Sequence, residues 1–187
     1  YTDRETVEIY TMVMAGRINK QIVSALQSQG VPVVGLSGLD GLLVRAKRKK
    51  RIVVVDERGR KRVSDGGYTG KISEINTNLL RLLIENGYVP VVAPVAAGEE
   101  FEPLNVDGDR TAAYIAGALG ADRLILLTDV EGLNLNGKLV SKLKLSEIKN
   151  VLPKIGHGMI TKVYAAMEAL NQGVGEVIIS SGLDKLP

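Results

Sequence analysis

The chain predicts an α/β domain in which a mostly parallel sheet is sandwiched between helix layers, with a basic β-hairpin added to it. Four short apolar runs, at residues 31–36, 88–95, 124–127 and 177–180, alternate with segments whose apolar residues recur at helical spacing. Residues 124–127, Leu-Ile-Leu-Leu, are apolar on consecutive positions, which fits a strand covered on both faces. Gly30, Gly87 and Gly120 stand where helical segments end, the usual place for a glycine with positive φ.

From the amino end, Tyr1 to Glu5 lead into a helix capped by Thr2 or Asp3, with Val7, Met14, Ile18, Ile22 and Leu26 as its apolar stripe. The first strand opens into Ser37-Gly38-Leu39-Asp40-Gly41, which reads either as a simple turn or as a wall of the site. Residues 42–63 are hairpin material. Ile52-Val53-Val54-Val55 is β-branched, and Asp56-Glu57-Arg58-Gly59 supplies turn chemistry. Gly66, Gly67 and Gly70 shape the loop Asp65-Gly66-Gly67-Tyr68-Thr69-Gly70-Lys71-Ile72.

An amphipathic helix is predicted over residues 71–86 through Ile72, Ile75, Leu79, Leu82 and Leu83. A proline-interrupted strand and the acidic loop Gly98-Glu99-Glu100 follow. Asp109 reads as the N-cap of a helix whose small face is Ala112, Ala113, Ala116 and Leu119. The strand at 124–127 is expected to be central, with Leu126 and Leu127 almost fully buried. It ends in Thr128-Asp129-Val130-Glu131-Gly132, and ligands bind at that end of strands in open α/β sheets. Residues 134–140 read as a small hairpin or turn, and 145–151 and 159–172 as helices.

The 187 residues suit one well-buried domain. No apolar run approaches the roughly 18 residues of a membrane span and no signal-peptide pattern opens the chain, so the expected setting is cytoplasmic. Zero cysteines exclude disulfides and thiolate metal sites. The single His157 excludes a histidine-built metal site or a Ser-His-Asp triad, and reads as a surface residue. Between Arg45 and Arg62, ten Lys or Arg residues face two acids, a local +8 in a chain of net +3, so the remainder is mildly acidic. Such a concentrated basic element calls for a partner or for a solvated surface role.

The stretch Asn105-Val106-Asp107-Gly108-Asp109, with Ala112, Ala121-Asp122 and Leu127 to Gly132, resembles the nucleotide-binding signature of the amino acid kinase family. A second block, Gly158-Met159-Ile160-Thr161-Lys162-Val163 with Ala165, Ala166 and Ala169, is similar to the GM-x-x-K-V-x-A-A stretch of that family's acetylglutamate kinase branch. The resemblance covers nearly all of the chain, which matches about the last two thirds of a family member. The family's first strand, its glycine-rich phosphate loop with a lysine, and its substrate-binding arginine precede Tyr1. One amino acid kinase domain over residues 1–187, incomplete at both ends, is therefore expected, with 1–100 as the substrate-side part and 101–187 as the nucleotide-binding part.

What the resemblance implies is phosphoryl transfer from ATP, with Mg²⁺, to a carboxylate. A carboxylate with a pKa of about 4 is ionised at neutral pH, so no general base is required. By motif, Lys162 and Asp109 are catalytic, the lysine beside the transferring group and the aspartate as its organiser. Asn105 contacts the substrate. Asp129, Val130, Glu131, Gly132, Leu133 and Asn134 hold the ribose and adenine side of the nucleotide, and Lys154, Ile155 and Gly156 close over it. The magnesium rests on phosphates and water rather than on a protein carboxylate cluster.

Gly66-Gly67-Tyr68-Thr69-Gly70-Lys71 replaces the G-x-V-G-E of acetylglutamate kinases and is similar to relatives acting on aminoadipate or glutamate attached to the small acidic carrier protein LysW, in lysine and arginine biosynthesis. In that case Arg45, Lys47, Arg48, Lys49, Lys50 and Arg51 form the carrier-docking surface, and a homodimer or higher homo-oligomer is expected. Other readings stay open from the residues themselves. Lys162 could be a solvated charge, Asp109 only a cap, and the enzyme an acetylglutamate kinase. A nucleic-acid-binding module built on the basic hairpin is the remote alternative, disfavoured because no aromatic residue is interleaved for base stacking.

Overall fold

A computed structural model describes residues 2–49, 51–55 and 59–182. The chain divides into two compact units, Tyr1–Thr111 and Ala112–Pro187. Helices mix with parallel strand pairs in an α/β fold, as the alternation of patterns predicts.

The first unit opens with α1 (Arg4–Thr11), capped by Asp3, whose carboxylate accepts the Thr6 N–H at 2.8 Å. A π-helical segment, Met12–Ile18, joins α1 to α2 (Asn19–Gln27). The wider π turns shift the helix phase, so the buried stripe departs from the expected one. Val7 is buried, Asn19 lies inside, and Ile22 faces out. The Asn19 amide donates to the carbonyls of Leu36 (3.1 Å) and Val91 (2.8 Å), which satisfies a polar group the core would otherwise penalise.

The strands of this unit are β1 (Val33–Ser37), β2 (Val44–Arg48), β3 (Arg51–Val55), β4 (Lys61–Asp65) and β5 (Gly70–Ile75), then, after α3 (Asn78–Glu85), β6 (Val89–Ala93), β7 (Val95–Ala97) and β8 (Pro103–Asn105). β1 and β6 pair in parallel. A mixed sheet runs in the order β5-β2-β7-β8, and β3-β4 is a separate antiparallel hairpin. The turn residues Asp56, Glu57 and Arg58, and Lys50 of the basic run, lie outside the described residues.

The helix expected over residues 71–86 is corrected. Its first part is strand β5, and the helix begins only at Asn78. Ile72 is the deciding residue: it pairs with Ala46 on β2 and is buried, so sheet pairing overrides a spacing that also fits a helix.

α4 (Gly108–Leu119) carries the chain across the boundary between the units. The second unit contains β9 (Arg123–Thr128), the small hairpin β10 (Asn134–Leu135) with β11 (Lys138–Leu139), α5 (Leu145–Val151), α6 (His157–Asn171) and β12 (Glu176–Ser181). β9 and β12 are parallel, in register from Arg123 opposite Glu176 to Thr128 opposite Ser181.

Leu126 is 3% exposed and packs among Ala113, Ala116, Ala165, Ala169 and Val174. Leu127 is 55% exposed, contrary to expectation. Successive side chains of a strand point to opposite faces, and only the Leu124–Leu126 face meets this alanine-lined core. Among the described residues β9 pairs with β12 alone, so it is not a central strand there.

Candidate active site

Asn105 ends β8 and is held by its backbone and by its side chain. Its N–H donates to the Tyr68 carbonyl at 2.9 Å. Its side-chain amide donates to the Thr2 hydroxyl at 3.2 Å. The Thr69 hydroxyl stands 3.5 Å from the same Thr2 oxygen, and the Tyr68 N–H donates to the Thr2 carbonyl at 2.7 Å. Thr2, read in the sequence only as a possible cap, is instead a buried polar link between the glycine-rich loop and Asn105. Nothing in its sequence neighbourhood signals this, because the contact spans more than sixty residues on one side and 103 on the other.

The glycine-rich loop sits tightly against the basic strand. A Cβ on Gly66 would overlap the Lys49 carbonyl, so glycine is demanded there. The Lys49 N–H donates to the Thr69 carbonyl at 2.8 Å. Arg48 donates from Nε to the Gly67 carbonyl at 2.9 Å, and its guanidinium carbon lies 4.2 Å from the centre of the Tyr68 ring. The six basic residues singled out in the sequence thus divide. Arg45 pairs with Glu74 at 3.5 Å and Lys47 with Glu99 at 3.4 Å, both at exposed positions. Arg48 turns to the loop, and Arg51 is exposed at the start of β3.

The loop after β1 is tied by Asp40, whose carboxylate accepts from the Ser37 N–H at 2.6 Å and the Ser37 hydroxyl at 2.8 Å. Gly38 lies so close to the Val95 carbonyl and Val44 that a side chain would collide. This is a rigid turn, formed by its own residues.

At the start of α4 the cap is Asp107 rather than the expected Asp109. The Asp107 carboxylate accepts the Arg110 N–H at 2.9 Å, and its carbonyl accepts the Thr111 N–H and hydroxyl at 2.9 and 2.7 Å. The capping oxygen must come from the residue before the first helical one, and that residue is Asp107. Asp109 is therefore a first-turn carboxylate, half-buried at the positive end of the helix dipole. Nearby, Tyr10 Oη lies 3.5 Å from the Pro94 carbonyl. Burial raises the Tyr10 pKa above its ordinary value, and the Asp107 charge adds to the effect.

In the second unit, a cleft of about 520 Å³ is lined by Asp129, Val130, Glu131, Gly132, Leu133 and Asn134 after β9, with Ile155 and Gly156 opposite. Leu139 and Met159, which sequence reasoning did not assign to the nucleotide, complete the wall. Lys154 stands in the short 3₁₀ turn Leu152–Lys154 just before it and is not among the lining residues. Gly132 has φ 154°, and a Cβ would lie 3.3 Å from both the Ile179 carbonyl and a Leu139 methyl, so this turn requires glycine. Gly156 is the N-cap of the fifteen-residue α6, so the helix's unsatisfied N–H groups begin at the cleft. Lys162 is half-buried on α6. Asp109 belongs to the first unit and Lys162 to the second. Among the described residues no group of three or more His, Cys, Asp or Glu side chains could hold a metal ion, and no helix is long and apolar enough to cross a membrane.

A loop cleft at the carboxyl end of a parallel strand, facing a helix N-terminus, is the geometry of a phosphorylated ligand site. The model of the amino acid kinase family matches residues 1–181. The chain belongs to the amino acid kinase family. It is 57% identical over 187 residues to a Cenarchaeum symbiosum protein assigned as a LysW-aminoadipate/LysW-glutamate kinase, and that match covers all of this chain and 70% of the relative. Identity to the LysW-aminoadipate/LysW-glutamate kinase of Saccharolobus solfataricus is 47% over 188 residues, covering 100% of this chain and 71% of that one. The crystal structure of smu.665 from Streptococcus mutans UA159 superposes with a TM-score of 0.82 at 26% identity, over 97% of this chain and 70% of that one. This amino acid kinase is a phosphotransferase with a carboxyl group as acceptor.

Proposed function

We propose that this kinase phosphorylates the side-chain carboxylate of aminoadipate or glutamate carried on LysW, in lysine or arginine biosynthesis in the cytoplasm. ATP is the donor, in the cleft of the second unit. One carboxylate oxygen attacks the γ-phosphorus, the bond to the β,γ-bridging oxygen breaks, and ADP leaves as the acyl phosphate forms. The carboxylate is already ionised, so no proton need move. The protein's work is positioning and charge neutralisation. Lys162 is assigned to the transferring phosphoryl group and Asp109 to orienting it. Asn105 holds the amide through which the amino acid is tethered. Magnesium, bound with the nucleotide, would rest on its phosphates and water and offset their charge. The first unit serves the acceptor and the second the donor.

One observation supports the carrier most strongly. The basic strand joins the substrate residue through a single loop, because the Lys49 N–H meets the Thr69 carbonyl and the Asn105 N–H meets the Tyr68 carbonyl. A strongly acidic carrier resting on that strand has its tethered amino acid within reach of Asn105. Replacing Lys47, Lys49 and Arg51 by Ser tests this. Rim charges act on association and are screened by salt. KM for the LysW-linked substrate is expected to rise at low ionic strength, with kcat unchanged and the difference shrinking as salt increases. An unaltered KM at low salt would remove the basic strand from recognition.

A further inference from the structure

The structure assigns Arg48 to positioning the substrate loop rather than to docking, an inference that rests on the carrier-linked reading for its kinetic arm. Arg48 sits among five basic residues singled out for the acidic partner, yet it points elsewhere. Its Nε donates to the Gly67 carbonyl at 2.9 Å and its planar group covers Tyr68 at 4.2 Å from the ring centre. Lysine, a flexible point charge without a fork, cannot reproduce both contacts. Tyr68 in turn carries the two backbone bonds that fix this corner, one to the Thr2 carbonyl and one from the Asn105 N–H. The Asn105 amide closes the ring onto the Thr2 hydroxyl.

The rest of the loop is held by backbone hydrogen bonds, one carboxylate and the close packing of Gly66 on the Lys49 carbonyl. It is glycine at 66, 67 and 70, and Gly67 takes a positive φ of 53°. Asp65 accepts the Gly67 N–H at 2.6 Å, and Thr69 donates to the Gly66 carbonyl at 3.0 Å. Glycine-rich backbone is entropically costly to order, so a side chain clamped over its one aromatic residue sets how well the corner is formed. Arg48 therefore acts through Tyr68 on Thr2 and Asn105. It links the basic strand to the substrate contact, so that a partner resting on the strand meets a corner already in place.

The test uses the full-length enzyme with Arg48→Lys, which keeps the charge, and Tyr68→Phe and Tyr68→Leu, which keep and remove the ring. Hydrogen exchange of the Tyr68, Thr69 and Asn105 amides is read without substrate. Loss of the Nε hydrogen bond and planar stacking in Arg48→Lys, and of the ring in Tyr68→Leu, is expected to speed exchange by roughly 5- to 30-fold, with Tyr68→Phe near wild type. KM for the LysW-linked substrate should rise in Arg48→Lys by a factor that does not change with salt. Wild-type exchange in Arg48→Lys, or a KM defect that disappears at high salt, would overturn the inference. If the Lys47, Lys49 and Arg51 substitutions leave KM untouched, the carrier reading fails, and the exchange data still decide the role of Arg48.

Discussion

Leu126→Ala and Leu127→Ala, compared in the 187-residue chain, test how β9 is seated before the Asp129–Asn134 loop. Leu126 is 3% exposed, and its neighbours include Ala113, Ala116, Ala165 and Ala169. Alanines have no side-chain length with which to fill a hole, so the cavity left by truncation stays open. The cost belongs at the upper part of the usual range, about 3–5 kcal/mol. Leu127 is 55% exposed, so less than half of its transfer free energy is at stake, about 1 kcal/mol. Urea unfolding followed by circular dichroism gives both values, provided the slope m is unchanged. Equal losses at the two positions would refute the one-sided seating of the strand. So would a larger loss at Leu127.

Lys162→Ala is expected to lower kcat by about 10²–10³ with little change in nucleotide affinity, as for one lost charge contact at a transition state; single-turnover rates with trapped acyl phosphate would show it, and a near wild-type kcat would remove Lys162 from the chemistry. Tyr10 should make the fold sensitive to alkali. Its folded-state pKa is raised by burial, so stability is intact below the ordinary value near 10.0 and is lost as pH rises through the folded value. Tm measured across about pH 9–11 should fall less steeply in Tyr10→Phe than in the parent, and parallel curves would contradict the assignment. Gly66→Ala should be far more destabilising than Gly16→Ala, because a Cβ on Gly66 meets the Lys49 backbone while Gly16 has open space around it. Thermal unfolding of the pair decides it: comparable Tm losses would mean the loop can move away from the strand.

Much of this molecule can be read from its sequence where the physics is local. Asp3 caps its helix, Gly120 and Gly87 end theirs with positive φ, and the loop from Asp129 to Asn134 lines a cleft where the chain pattern places a strand end. The misreadings have non-local causes. Ile72 and Ile75 fit a helix as well as a strand until Ala46 appears as the partner of Ile72. The π segment in the first helix leaves no mark in the residue pattern, yet it moves Asn19 inside and Ile22 out. Leu127 is as apolar as Leu126, and only the position of the alanine core distinguishes them. Thr2 and Arg48 make contacts with partners 66 and 19 or more positions away, which composition and spacing do not mark.

The most direct measurement of the central claim is acyl phosphate formation by the full-length enzyme, trapped as a hydroxamate, from LysW-linked glutamate or aminoadipate and from free acetylglutamate. Electrostatic steering of an acidic partner to a basic surface raises association by about 10–10³. At low salt, kcat/KM for the LysW-linked substrate should exceed that for acetylglutamate by at least about tenfold, and the advantage should narrow as salt is added. Acetylglutamate phosphorylated as well as the carrier-linked amino acid at every ionic strength would contradict it.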